Sequence, residues 1–180
     1  MDSSFFKDFD TLDLGTPQQG KFLISEPFLA DPNFSRTVVL LVEHNEDGTI
    51  GFVLNRELDI PLNEAVTDFP AFDAPISIGG PVENTSLFYI HTLGEKLPGS
   101  TEITEGLYWG GDFDGLKLLI DTKQITTAEI RFFAGYSGWG NGQLASEMKQ
   151  RSWIVANASK EMIMNTRVDS LWKTALKKLG

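Results

Sequence analysis

A chain of 180 residues, 41% hydrophobic and 22% charged, has the proportions of one globular domain, and no stretch is apolar for the roughly 18 residues that a membrane helix needs. Cysteine is absent, which removes disulfides, thiol nucleophiles and cysteine-held zinc or iron–sulfur centres together. A net charge of −10 works against nucleic-acid binding, which draws its affinity from Lys and Arg neutralising phosphates.

Residues 1–18 read as a flexible acidic leader. It carries Asp2, Asp8, Asp10 and Asp13, and its Phe5, Phe6 and Phe9 could pack on the domain as a short helical turn. It lacks the basic start and apolar core of a secretory signal, so a cytoplasmic location is expected. Residues 19–180 read as a single domain. Lys21 to Ser25 is a first strand, followed by an irregular crossing that Pro27 and Pro32 keep out of helix and that Phe28, Leu29 and Phe34 are expected to anchor. Thr37 to Val42 holds an unbroken apolar run, the mark of a strand buried on both faces. Its expected partner is Ile50 to Asn55, joined to it through a turn at Asp47-Gly48. A short helix should begin near Pro61, and strands should follow at Ile76 to Ile78, Leu87 to Ile90 and Gly106 to Trp109. Asp112 is placed to cap a helix whose Phe113, Leu116, Leu119 and Ile120 share a face.

The stretch from Ile130 to Arg151 reads as a strand to Phe133, a tight turn from Gly135 to Gly142 and a helix from Gln143 that carries Leu144 and Met148. The glycines at 135, 138, 140 and 142 suggest at least one positive φ, with Trp139 buried in the turn. Trp153 to Val155 is a last strand. Asp169 is expected to cap a helix with Leu171, Trp172, Ala175, Leu176 and Leu179 on one side. Strands outnumber helices and are often joined by short turns, which indicates an α+β domain with a curved, mostly antiparallel or mixed sheet.

Three chemistries are almost spelled out. Gly138-Trp-Gly140-Asn-Gly142-Gln143 follows a strand and opens a helix as a dinucleotide loop does, but Gln143 replaces the third glycine. Glu43, Asn45, Asp47 and Gly48 match the first half of a calcium loop, whose twelfth position should be glutamate and is Leu54. Gly135-Tyr-Ser137-Gly-Trp139 resembles a nucleophile elbow with tryptophan where glycine belongs. A hydrolase using Ser25 or Ser137 with His44 or His91 is therefore the enzymatic alternative, since these are the two histidines of the chain. Asn55-Arg56 closes a central strand, where a guanidinium serves either an ion pair or an anion clamp. The densest basic cluster, Lys173, Lys177 and Lys178, reads as a solvated face near a helix end. No metal or cofactor is expected.

Several segments together resemble the AlgH/YqgE family. They are Leu23-Ile-Ser-Glu-Pro27, Asp31-x-x-Phe-x-Arg36, Val42-Glu-His-Asn-Glu-Asp-Gly48, Gly51-Phe-Val-Leu-Asn-Arg56, Gly79-Gly-Pro-Val82, Gly135-Tyr-Ser-Gly-Trp139 with Gly142-Gln-Leu144, Trp153, and the close from Leu171-Trp172 to Gly180. The resemblance implies an α+β fold with a bifurcated sheet bent into a pseudo-barrel. It implies no established reaction, in a family that carries a transcriptional-regulator label. The expectation is a non-catalytic binding or regulatory module that works through protein or small-molecule contacts. Its site should involve Asn55, Arg56, Gly79, Gly80, Tyr136 and Trp139; direct DNA binding is disfavoured by charge.

Overall fold

The computed structural model describes residues 12–164 and 168–178. Phe5, Phe6 and Phe9 of the leader and Leu179 of the last helix lie outside the described residues. Ten strands are present among those described: β1 (Lys21–Ser25), β2 (Val38–Asn45), β3 (Gly48–Val53), β4 (Glu57–Leu58), β5 (Ile76–Ile78), β6 (Val82–His91), β7 (Thr101–Thr104), β8 (Leu107–Trp109), β9 (Ile130–Gly140) and β10 (Trp153–Asn157). Five α-helices accompany them: α1 (Leu62–Ala65), α2 (Phe113–Asp121), α3 (Gln143–Lys149), α4 (Lys160–Met164) and α5 (Leu171–Lys177).

The strands form one sheet in the order β10-β1-β2-β3-β9-β6-β8-β7, with β4 and β5 as a branch. All pairs are antiparallel except β5 with β9. The apolar run of β2 lies between β1 and β3, and its alternate residues feed two cores. Val38, Leu40 and Val42 join Phe22, Phe52, Phe133 and the α5 residues Trp172 and Leu176. Val39 and Leu41 join Trp139, Trp153 and Leu144 of α3. A third core lies under α2, where Leu116 and Ile120 meet Tyr89 and Phe132. The Asp112 side chain accepts from the Gly115 amide at 3.2 Å, which makes it the expected cap of α2.

β9 is the hub. One of its edges pairs with β6, and the other is divided between two strands. Phe132 to Ala134 pair with β5, and Ser137 to Gly140 pair with β3. This is the bifurcation, and Gly135, at φ +73°, stands at the fork. Between β5 and β6 the chain passes from one edge of β9 to the other in Gly79, Gly80 and Pro81. It crosses backbone against backbone. A Cβ on Gly79 would fall on the Gly135 carbonyl oxygen, and one on Gly80 on the carbonyl of Tyr136. The sheet curves strongly enough that Gln19, just before β1, donates to the Ile103 carbonyl of β7 at 3.0 Å. The two end strands do not pair, so the curve stops short of a closed barrel.

Several expectations are corrected. The segment from Gly135 to Gly142 is not one tight turn. β9 runs on through Gly138 to Gly140, because β3 supplies a partner for that half, and the turn is confined to Asn141-Gly142. The two-residue turn between β2 and β3 is Glu46-Asp47, one residue earlier than expected. β7 and α4 were not anticipated. Ser170 rather than Asp169 occupies the cap position of α5, because a 3-10 turn, Val168–Ser170, intervenes. Phe28 is 73% exposed and does not anchor its crossing, whereas Phe34 stacks on Trp139 and meets Trp153 edge-on. From the leader, Leu14 is buried and its carbonyl accepts from Val155 of β10 at 2.7 Å.

Candidate functional site

The catalytic alternative finds its side chains committed elsewhere. Ser25 Oγ accepts from the Thr37 amide at 2.8 Å, and Ser137 Oγ donates to the Gly79 carbonyl at 3.0 Å. Both serines are fully buried. His44 Nδ1 pairs with Thr49 Oγ1 across the β2–β3 hairpin at 2.7 Å. His91, at the buried end of β6, does have a serine neighbour, and it is Ser100, with Oγ 3.1 Å from Nε2. The protons of this pair are arranged for structure. The Leu93 amide donates to Nδ1 at 3.2 Å, so Nε2 carries the hydrogen and donates to the Gly110 carbonyl at 2.8 Å. The Ser100 hydroxyl donates to the Leu97 carbonyl at 2.7 Å. An imidazole that is itself a donor at Nε2 cannot take a proton from that serine.

Burial holds the His91 pKa below its ordinary value of 6.5, against a smaller upward pull from the Gly110 hydrogen bond. A depressed folded pKa means that the unfolded chain binds the proton more readily. The stability due to neutral His91 is thus fully present above pH 6.5 and is lost as pH falls through the lowered folded value. In urea titrations at about pH 8 and pH 5, His91→Gln should lose less stability on acidification than wild type. Equal losses in the two proteins would remove His91 as the titrating group.

The residues expected to bind a partner also carry the fold. Gly79 and Gly80 form the crossing at the fork. Trp139 is 4% exposed, packs against both Phe34 and Trp153, and donates from Nε1 to Glu147 Oε1 at 3.1 Å. The same oxygen accepts from Trp153 Nε1 at 2.9 Å. Tyr136 is half-buried and meets Phe88 edge-on; with Trp139, Glu43, Asn45 and Asp47 it lines a hollow of about 360 Å³ beside the hairpin. The Arg56 terminal nitrogens donate to the carbonyls of Pro32 at 2.8 Å and Ser35 at 2.9 Å, bracing the crossing. Asn55 accepts from the Val38 amide and donates to the Arg36 carbonyl, both at 2.9 Å.

Asn55 also lines a larger cleft, of about 700 Å³, between the β4–β5 branch, the start of β9 and the end of α4. Arg131 of β9 lies in it, half-buried over the ring of Phe133. Its Nη1 donates to the Ile163 carbonyl at 2.8 Å, and its Nη2 to the Leu54 carbonyl at 2.8 Å and Ser77 Oγ at 2.7 Å. All three acceptors are uncharged, and desolvation lowers the pKa of Arg131 to about 10, with Glu57 opposing from nearby. Glu57, Asp73 and Asp169 are exposed around the same cleft. A second hollow of about 390 Å³ adjoins it, sharing Glu57, Asp73 and Pro75. The sequence reading missed Arg131. Its signal was one charge inside the apolar run Ile-Arg-Phe-Phe, which a strand tolerates only where that charge finds acceptors.

Comparison with known proteins agrees with this architecture. The model of the AlgH-like family, DUF179, matches residues 22–180. A UPF0301 protein of Bacteroides fragilis is 46% identical over 165 residues, 91% of this chain and 84% of that one. Another, from Chlorobaculum tepidum, is 42% identical over 161 residues, 89% and 86% of the two chains. The solution structure of the AlgH protein from Pseudomonas aeruginosa is 31% identical, covers 94% of this chain and 93% of its own, and superposes with a TM-score of 0.77. DIP2367 from Corynebacterium diphtheriae shares the fold at 23% identity, with a TM-score of 0.76 over 94% of this chain and 91% of its own. With the family model running from the first strand to the last residue, this protein belongs to the AlgH-like family.

Proposed function

We propose that this chain is a non-catalytic, cytoplasmic binding or regulatory module, acting through a small molecule or a protein group seated in the Arg131 cleft. The observation that carries this reading is a contrast within the molecule. Ser25, Ser137 and His91 are spent on backbone groups, whereas the cleft of about 700 Å³ stays open with a cation on its wall. That volume is within the range of small-ligand sites, roughly 300–1,000 Å³. No helix of the described residues is long and apolar enough to cross a membrane, which suits a partner met in solution. Duplex DNA is not part of this reading, given the net charge of −10.

Thr127 offers a way to close the cleft without touching the cores, because it lines the cleft and is exposed. Thr127→Trp should leave the unfolding midpoint near that of wild type and abolish the thermal shifts produced by a panel of small polar metabolites. Shifts that persist undiminished in the variant would place ligand binding away from Arg131. A panel that shifts neither protein would count against the small-molecule form of the proposal.

A further inference from the structure

We propose that the Arg131 cleft selects a zwitterion: a carboxylate directed at the guanidinium, joined to a cationic group that meets the acidic rim. The proposal rests on the reading of the cleft as a binding site and names the chemistry of its occupant.

The argument begins with the donors of Arg131. A guanidinium has five N–H groups, and the carbonyls of Ile163 and Leu54 and the hydroxyl of Ser77 take three of them. Those acceptors orient the side chain but leave its charge unmatched by any hydrogen-bonded carboxylate among the described residues. A desolvated cation of this kind gains most from an anion that brings directional acceptors, and arginine suits a carboxylate in two-point contact.

The rim restricts which anion enters. Glu57, Asp73 and Asp169 are exposed and line the same cleft, and Arg131 is the one basic residue among its described lining residues. Among the described lining residues a phosphate dianion would thus meet three negative groups against one positive group. A simple monoanion would cross the same repulsive rim with nothing to offset it, and a simple cation would meet repulsion from Arg131. A molecule with a carboxylate at one end and an ammonium at the other satisfies both ends of this field at once. Two sources share that chemistry, a free basic amino acid and the C-terminus of a peptide ending in lysine.

The test uses the full chain and four probes, titrated by NMR or calorimetry: free lysine, glycyl-glycyl-lysine, acetate and butylamine. Lysine or the tripeptide should bind at least about tenfold more tightly than either singly charged probe. Tighter binding of the tripeptide would assign the site to a peptide terminus, and tighter binding of lysine to a free amino acid. Arg131→Met should lose that binding. Because this variant also removes three hydrogen bonds inside the fold, a rim variant gives the second reading. Glu57→Gln combined with Asp73→Asn alters only exposed side chains and should bring the zwitterion down to the level of acetate. Overturning results are a zwitterion bound no better than acetate or butylamine, or a preference that survives in the rim variant. Acetate or butylamine bound without any zwitterion preference, and lost in Thr127→Trp, would sink this inference while the cleft remained a binding site. If none of the four bound at millimolar concentration, the inference would fall as well; other hits from the metabolite panel that vanish in Thr127→Trp would still support the cleft itself.

Discussion

Trp139→Ala is expected to lower stability by roughly 3–5 kcal/mol, the usual cost of emptying a buried tryptophan site. The ring is 4% exposed, with its centroid 5.9 Å from that of Phe34 and 6.1 Å from that of Trp153. Truncation leaves a void among Val39, Leu41 and Leu144 and removes one of the two indole donors held by Glu147 Oε1. Trp139→Phe keeps most of the apolar volume and loses the N–H, so it should cost about 1–2 kcal/mol. Urea unfolding of the three proteins, followed by far-UV circular dichroism, reads this directly. An alanine variant as stable as its parent would mean that the ring is not part of the core and stands free for a partner.

Gly80→Ala is expected to be at least as damaging, although it adds one methyl group. The Cβ would fall on the Tyr136 carbonyl and lie 2.5 Å from the Ser137 nitrogen, both backbone atoms of the hub strand. The residue also sits at φ +156°, which an L side chain rarely adopts. Backbone cannot step aside as a flexible side chain can, so the cost should exceed about 3 kcal/mol and reduce the yield of folded protein. Gly140→Val is the matched control. Nothing lies within 4 Å of its Cβ position and its φ is not positive, so stability should change by less than about 0.5 kcal/mol. The discriminating measurement is the difference between the two variants. If Gly80→Ala unfolds at the same urea concentration as Gly140→Val, the crossing is not the tight backbone passage described above.

That control reverses what the glycines suggest in sequence. Four glycines around two aromatics read as a turn because glycine frees the backbone, and Gly135 and Gly142 do use that freedom, at φ +73° and +80°. Gly138 and Gly140 instead lie in extended strand, paired with a hairpin strand far earlier in the chain at Ile50 and Gly48, a partner that no local pattern reveals. The locally determined elements were legible, the double-sided run of β2 and the Asp112 cap, and so was the burial of Trp139, although distant residues provide it. β7, with Thr101, Glu102 and Thr104 all exposed, lacks the apolar signal that announces a strand and exists because β8 pairs with it. The candidate cleft was the least legible part. Of the residues singled out in advance, Asn55 lines it, whereas Arg56, Gly79, Gly80 and Trp139 serve packing or backbone bracing. Arg131 draws its acceptors from Leu54, Ser77 and Ile163, three segments far apart in the chain.

The hub strand also dictates an order of events at the ribosome. β3, β5 and β6 are all synthesised before β9, and each leans on β9 for one of its edges. β1 waits longer still, since the strand beyond it, β10, ends at Asn157. A nascent chain that has only reached α2 therefore displays unpaired strand edges and the apolar run from Val38 to Val42, the features that invite association between chains. No N-terminal portion can settle early as a finished unit. Folding is therefore expected to wait until most of the chain has emerged and then to proceed through contacts between distant segments, the kind that form slowly.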